Sequence, residues 1–144
     1  MSKKNFQVKN IGNLNDIKQY NQILPDSKLE MKGKLFINEL VGLTGSEISF
    51  NSMEPKTSMP FDHKHTKNEE VYIVLSGTGE FKIDDEIISV KEGSIIRMAP
   101  NAIRTWRNTS EDTEMIFITI QTVANSMNNA KPTSDGILVE RTVK

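Results

Sequence analysis

Apolar residues recur along the chain in short runs, and that rhythm predicts strands. From Lys34 onward the runs are Leu35-Phe36-Ile37, Ile48-Ser49-Phe50, Val71 to Leu75, Phe81-Lys82-Ile83, Ile87 to Val90, Ile95 to Met98, Ile103 to Trp106 and Met115 to Thr122. Turn-forming residues separate them: Gly42-Leu43-Thr44-Gly45, Gly77-Thr78-Gly79, Asp84-Asp85, Lys91-Glu92-Gly93, Ala99-Pro100-Asn101 and Asn108-Thr109-Ser110. Strands repeating every eight to ten residues or so belong to an all-β sandwich or barrel. No helical period interrupts them, which disfavours a parallel βαβ fold.

Two runs are apolar at successive positions rather than alternate ones. In Val71-Tyr72-Ile73-Val74-Leu75 and in Met115 to Ile120 one set of side chains faces a barrel interior, and the other set must also leave water. A homodimer is the expected solution, with coverage by the N-terminal arm alone as the alternative. That arm, residues 1–33, carries Phe6, Val8, Ile11, Leu14 and Ile17 among many Asn. Asn13 or Asn15 is placed to cap a short helix through Tyr20, and Pro25-Asp26-Ser27 reads as a turn. After the barrel, residues 34–123, the tail 124–144 is polar until Ile137-Leu138-Val139, which offers one last edge strand.

Composition narrows the function classes. A chain of 144 residues suggests one domain. A net charge of -1 provides no field for nucleic acid or an anionic membrane. Met1-Ser2-Lys3-Lys4 is basic, but no apolar segment follows as in a secretory signal. No apolar stretch approaches the ~20 residues of a membrane span. The absence of Cys excludes disulfide and thiolate chemistry and agrees with the expected cytoplasmic location.

Candidate chemistry is concentrated in one place. The only two histidines are His63 and His65, and Glu70 opens the next apolar run. On an extended chain, residues two apart point to one face, so both imidazoles can converge. Two imidazoles and a carboxylate form a facial donor set for Fe, Mn, Zn, Ni or Cu rather than Ca or Mg. That set leaves open positions on the ion. The alternation Arg104, Trp106, Asn108 places these three inward and Ile103, Thr105, Arg107 outward. By the same parity Tyr72, Met98 and Trp106 line the interior and Glu69 faces solvent. Each of the three is either ordinary core or cavity wall, where Tyr72 would donate a hydrogen bond and Trp106 would stack on a ligand.

These residues resemble the two motifs of the cupin superfamily. The first motif has a Gly separated by five residues from His-x-His, then a Glu, then a Gly after six intervening residues. His63, His65, Glu70 and Gly77 fit, and Thr57 stands at the first Gly. In the second motif Gly93 and Asn108 fit, Ala99 replaces Pro, Asn101 replaces Gly, and Arg104 replaces the last histidine. The resemblance implies a double-stranded β-helix (jelly-roll) barrel of the small single-domain type, a ligand site inside it, and a dimer. It implies a divalent metal (Fe, Mn, Zn or Ni) on His63, His65 and Glu70. If the protein is an enzyme, the resemblance points to metal-dependent oxygenation or isomerisation.

Arg104 separates two readings, because a guanidinium cannot serve as a metal ligand. In one, the metal is bound and Arg104 clamps the carboxylate or phosphate of a small polar or anionic ligand, with Tyr72 as candidate proton donor. In the other, Arg104 pairs with Glu70 and the barrel is a metal-free, non-catalytic binding module for a metabolite or sugar. Arg97, Arg104 and Arg107 cluster within eleven residues, which favours either an anionic ligand or an ion-pair network.

Overall fold

The computed structural model describes residues 4–24, 27–127 and 135–141. Its strands are β1 (Asn21–Ile23), β2 (Glu30–Lys32), β3 (Lys34–Phe36), β4 (Glu47–Met53), β5 (Asn68–Ser76), β6 (Thr78–Ile83), β7 (Glu86–Lys91), β8 (Ile95–Met98), β9 (Arg104–Asn108) and β10 (Met115–Val123). A 3-10 helix spans Leu14–Gln19, and α1 spans Asn38–Val41. The order β3-β4-β10-β5-β8 forms a five-stranded sheet, β7-β6-β9 a three-stranded sheet, and β1-β2 a separate ribbon, all antiparallel. This is the expected all-β class, a double-stranded β-helix.

The sheets enclose an apolar core because strand alternation sends one set of side chains inward. Tyr72 and Val74 of β5, Phe81 of β6, Val90 of β7, Trp106 of β9 and Phe117 of β10 meet there. Tyr72, Phe81, Trp106 and Phe117 are mutual neighbours, with ring centroids 5.2–6.3 Å apart. Edge-on and offset pairs of this kind add about 0.5–1.5 kcal/mol each beyond burial. They close one part of the lumen and leave the remainder hollow.

Turn chemistry follows the sequence. Gly77 sits at φ 82°, and a Cβ there would collide with the Glu114 carbonyl. Asn101 sits at φ 70°, the left-handed backbone that Asn tolerates where the second motif carries Gly. Asp84 and Asp85 form the β6–β7 turn, and Asp84 Oδ1 accepts from the Ile103 N–H at 2.9 Å.

Several local expectations change. Asn13, rather than Asn15, caps the 3-10 helix, its side chain accepting from the Asn15 N–H. The β1–β2 ribbon (Asn21-Gln22-Ile23 and Glu30-Met31-Lys32) and α1 were not legible, since they are short and carry no apolar run. Pro25 and Asp26 of the expected turn lie outside the described residues. Ile137, Leu138 and Val139 are exposed and carry no strand. An apolar run becomes a strand only beside a hydrogen-bonding edge, and no described residue supplies one here.

The outer face of the large sheet is apolar. The 3-10 helix lies against β3 and β4, and its Ile17 is fully buried. On this face Leu35 and Ile116 are buried, Val71, Ile73, Ile118 and Ile120 are half-buried, and Ile95 is exposed. The arm therefore covers one end of the face only. Ile17→Ala should lower unfolding free energy by about 2–4 kcal/mol in urea denaturation, as for other truncations of buried Ile. A loss below about 0.5 kcal/mol would mean that the arm is not packed.

Candidate functional site

His63 and His65 reach the lumen on an extended segment stitched to β9. The Asn108 N–H donates to Thr57 O at 2.9 Å, the Met59 N–H to Trp106 O at 2.9 Å, and His63 and Arg104 exchange backbone bonds of 3.0 and 2.9 Å. His63 forms only an isolated bridge and His65 lies beyond it, so no continuous strand carries the pair. The chain is nonetheless extended, and the two rings share a face at 5.5 Å between centroids. The Asn101 N–H donates to His65 O at 2.7 Å and fixes the end of the segment.

Glu70 comes to meet them from β5. Its inward parity, shared with Tyr72 and Val74, follows from the alternation of the strand. Glu70 Oε1 lies 2.5 Å from His65 Nε2 and 3.9 Å from His63 Nε2. Donor atoms of the three residues all fall within 4.8 Å of one another. Ligands at about 2.1 Å from one ion stand roughly 3–3.5 Å apart, so small side-chain rotations would seat an ion here. The donor set fits a divalent transition metal. His63 Nδ1, however, is buried without a hydrogen-bond partner, whereas metal-bound imidazoles usually donate their second N–H.

Arg104 takes the side of Glu70 away from the cavity. Its side chain is fully buried; Nη2 donates to Glu70 Oε1 at 2.7 Å and Nη1 to Ala102 O at 2.7 Å. Sealed in this way, it cannot clamp a ligand in the cavity, and of its two readings the ion pair is the one formed. The arginine cluster resolves into three separate pairs. Arg97 bonds Glu69 at 2.7 Å and Arg107 bonds Glu80 at 2.6 Å, both on the outer surface. Glu69 thus faces outward, as its parity requires.

Burial, the largest influence on the Glu70 carboxyl, would raise its pKa. The His63 ring, the Tyr72 hydroxyl and the Arg104 and His65 charges together reverse that, to about 2. Burial also holds the His65 imidazole below its usual value, aided by Arg104 and His63 and opposed by Glu70. The Tyr72 hydroxyl is pushed up, first by burial and then by Glu70, and stays protonated.

A cavity of about 330 Å³ opens beside this group, within the usual range for small-molecule sites. His63, His65, Glu70, Tyr72 and Trp106 line it as expected. Met98 does not: it faces inward across from Glu70, but its apolar side chain packs into the core cluster with Tyr72 and Phe81. The cavity also holds Lys34, Ser49, Thr119 and Gln121, which the motifs do not reach. A signal for them existed: in Ile48-Ser49-Phe50-Asn51 it is the polar residues that alternate inward, and both are buried.

Comparisons with known proteins agree with this geometry. The Cupin domain family model matches residues 50–121. A solved cupin protein from Bacteroides fragilis superposes with a TM-score of 0.76 at 28% identity, covering 96% of this chain and 100% of that one. A cupin-2 domain containing protein from Shewanella frigidimarina gives 0.54 at 18% identity over 78% and 94% of the two chains. A predicted oxalate decarboxylase from Thermotoga maritima gives 0.50 at 22% identity over 54% and 65%, a likeness of fold alone. No curated protein matches the sequence.

Breaking the buried pair strands a charge, so Arg104→Met should cost about 3–5 kcal/mol at pH 7. The Glu70 pKa is lowered on folding, so its contribution is complete above 4.5 and is lost as pH falls toward about 2. His65, lowered from 6.5, adds loss of stability in the same direction on acidification. Urea titrations of the metal-free protein from pH 7 to pH 2 should therefore show falling stability. The gap between wild type and Arg104→Met should narrow as Glu70 protonates; a constant gap would sink the pairing.

Proposed function

The chain belongs to the cupin domain family, and we propose that its barrel binds a divalent transition metal together with a small polar or anionic organic molecule. The observation that carries this reading is the convergence of His63, His65 and Glu70 at the wall of the cavity. Imidazole nitrogen and carboxylate oxygen suit Fe, Mn, Zn or Ni. A bound ion would supply Lewis acidity and open coordination positions toward the cavity. The protein's own part is to exclude water with Trp106 and the aromatic core, and to hold a proton on Tyr72 beside the ligand. In an enzyme of this kind, metal-dependent oxygenation or isomerisation, Tyr72 is the candidate proton donor, and its raised pKa makes it a hydrogen-bond donor to the ligand before it is an acid.

One observation favours a second reading, a metal-free and non-catalytic binding module. Arg104 and His65 both engage Glu70 Oε1, at 2.7 and 2.5 Å, so the carboxylate is already neutralised. Metal analysis of protein purified without added metal separates the two. The metal reading expects close to one equivalent, lost in His63→Ala with His65→Ala. It also expects a melting temperature lowered by roughly 10 °C in chelator, the effect of removing a ligand present far above its Kd. Absent metal and an unchanged melting temperature would assign the cavity to the module.

We also propose that the half-buried outer face of Val71, Ile73, Ile118 and Ile120, with exposed Ile95 beside it, joins two copies into a homodimer. Light scattering should give twice the mass of the chain, reduced to one copy by Ile73→Glu; a monomeric wild type would refute it.

A further inference from the structure

The three arginines of the barrel wall each face a glutamate, but one cation of the lumen does not. Lys34 lies at the start of β3, on the opposite edge of the large sheet from β8. Its inward parity alternates with outward Leu35. Lys34 Nζ donates to Ser49 Oγ at 3.1 Å and to Asn51 Oδ1 at 2.8 Å, and lies 4.8 Å from the centre of the Phe36 ring. Among the described residues it forms no ion pair. An ammonium has three N–H donors, and here two are given to neutral oxygens.

Its surroundings explain why so large a side chain is held there. Asn51 is itself fixed, its amide donating to Ser49 O and Ser49 Oγ at 3.2 and 3.1 Å. Lys34, Ser49 and Thr119 line the same cavity as His63, His65 and Glu70, and Lys34 also borders a second hollow of about 280 Å³. The charges in the lumen do not balance. Arg104 cancels Glu70, and Glu47 and Lys64 are exposed residues of the cavity rim with opposite charges, so the interior keeps the positive charge of Lys34. An ion on the histidine side would add to that excess. Burial lowers the Lys34 pKa to about 8, with Glu70 and Glu47 opposing, and a bound anion would offset this cost.

We propose that Lys34, positioned by Ser49 and Asn51, is the anion-binding pole of the cavity and receives the carboxylate of a small organic acid. The other end of that acid reaches toward His63, His65 and Glu70. Only this second contact rests on the metal reading above; the contact at Lys34 stands without it. β3 and β5 are three strands apart in the sheet, roughly 14 Å at about 4.8 Å per strand, before the side chains reach inward. That span, with a cavity of about 330 Å³, suits an acid of a few carbons rather than a polymer.

Succinate is the probe, with succinamide as its uncharged counterpart, measured by calorimetry with and without one equivalent of Mn²⁺. Wild type should bind succinate and not succinamide. Lys34→Met should weaken succinate at least tenfold while its metal content stays at the wild-type level. Lys34→Gln, which keeps a donor for Asn51, serves as a second variant and should lose the same affinity. Lys34-dependent succinate binding that survives His63→Ala with His65→Ala would support the lysine contact independently of the metal, and wild type purified with no metal would reject the metal reading alone. Equal affinity in folded wild type and folded Lys34 variants, or no succinate binding by wild type in either condition, would overturn the proposal. Inorganic phosphate binding more tightly than succinate through Lys34 would overturn the carboxylate assignment.

Discussion

A single oxygen atom organises the interior. Glu70 Oε1 accepts from Arg104 behind it and lies against His65 in front, while His63 stands further off. A carboxylate this deeply buried would be protonated in an apolar barrel. The His63 ring, the Tyr72 hydroxyl and the Arg104 guanidinium together keep it ionised, and the pairing uses up the buried arginine. The balance at this atom decides what the cavity can hold. With an ion present, Glu70 would be a ligand whose remaining charge Arg104 shares. Without one, Arg104 and His65 neutralise the carboxylate.

The two halves of the lumen divide the work of folding and recognition. Tyr72, Phe81, Trp106 and Phe117 fill one half by ring-on-ring contact. Tyr72 and Trp106 belong also to the other half, where they wall the cavity. The polar groups of the site are thus mounted on the best-packed part of the core. Ser49, Asn51 and Thr119 continue the polar lining across β4 and β10. Their burial is tolerated because hydrogen bonds connect them: Asn51 reaches Thr119 at 3.3 Å and Lys34 at 2.8 Å.

Charge placement on the barrel wall shows how parity sorts similar residues into different roles. Arg97, Arg104 and Arg107 are close in sequence, yet each pairs with its own glutamate, and only the middle pair is internal. The outer pairs are screened by water and contribute little. The inner pair is shielded from it and costs much to break. Lys34, isolated in sequence from any motif, is the cation left to the cavity's interior, since Lys64 stands at the exposed rim.

Much of the fold was legible because strand alternation and turn residues act locally. β5 through β10 follow from apolar runs, and Gly77 and Asn101 mark their turns through backbone conformations that other side chains avoid. The donor set was legible too, since spacing on an extended chain fixes which way His63 and His65 point. The β1–β2 ribbon and α1 escaped, as did the fate of Ile137-Leu138-Val139, because a strand depends on the edge it meets. The sequence by itself determined the barrel, its inward parity and the residue types at its centre. Only the tertiary structure decided that Arg104 faces Glu70 rather than the cavity, that Met98 is core, and that Lys34 enters the lumen. Those outcomes depend on which strands become neighbours, and strand order is a property of the whole chain rather than of any stretch of it.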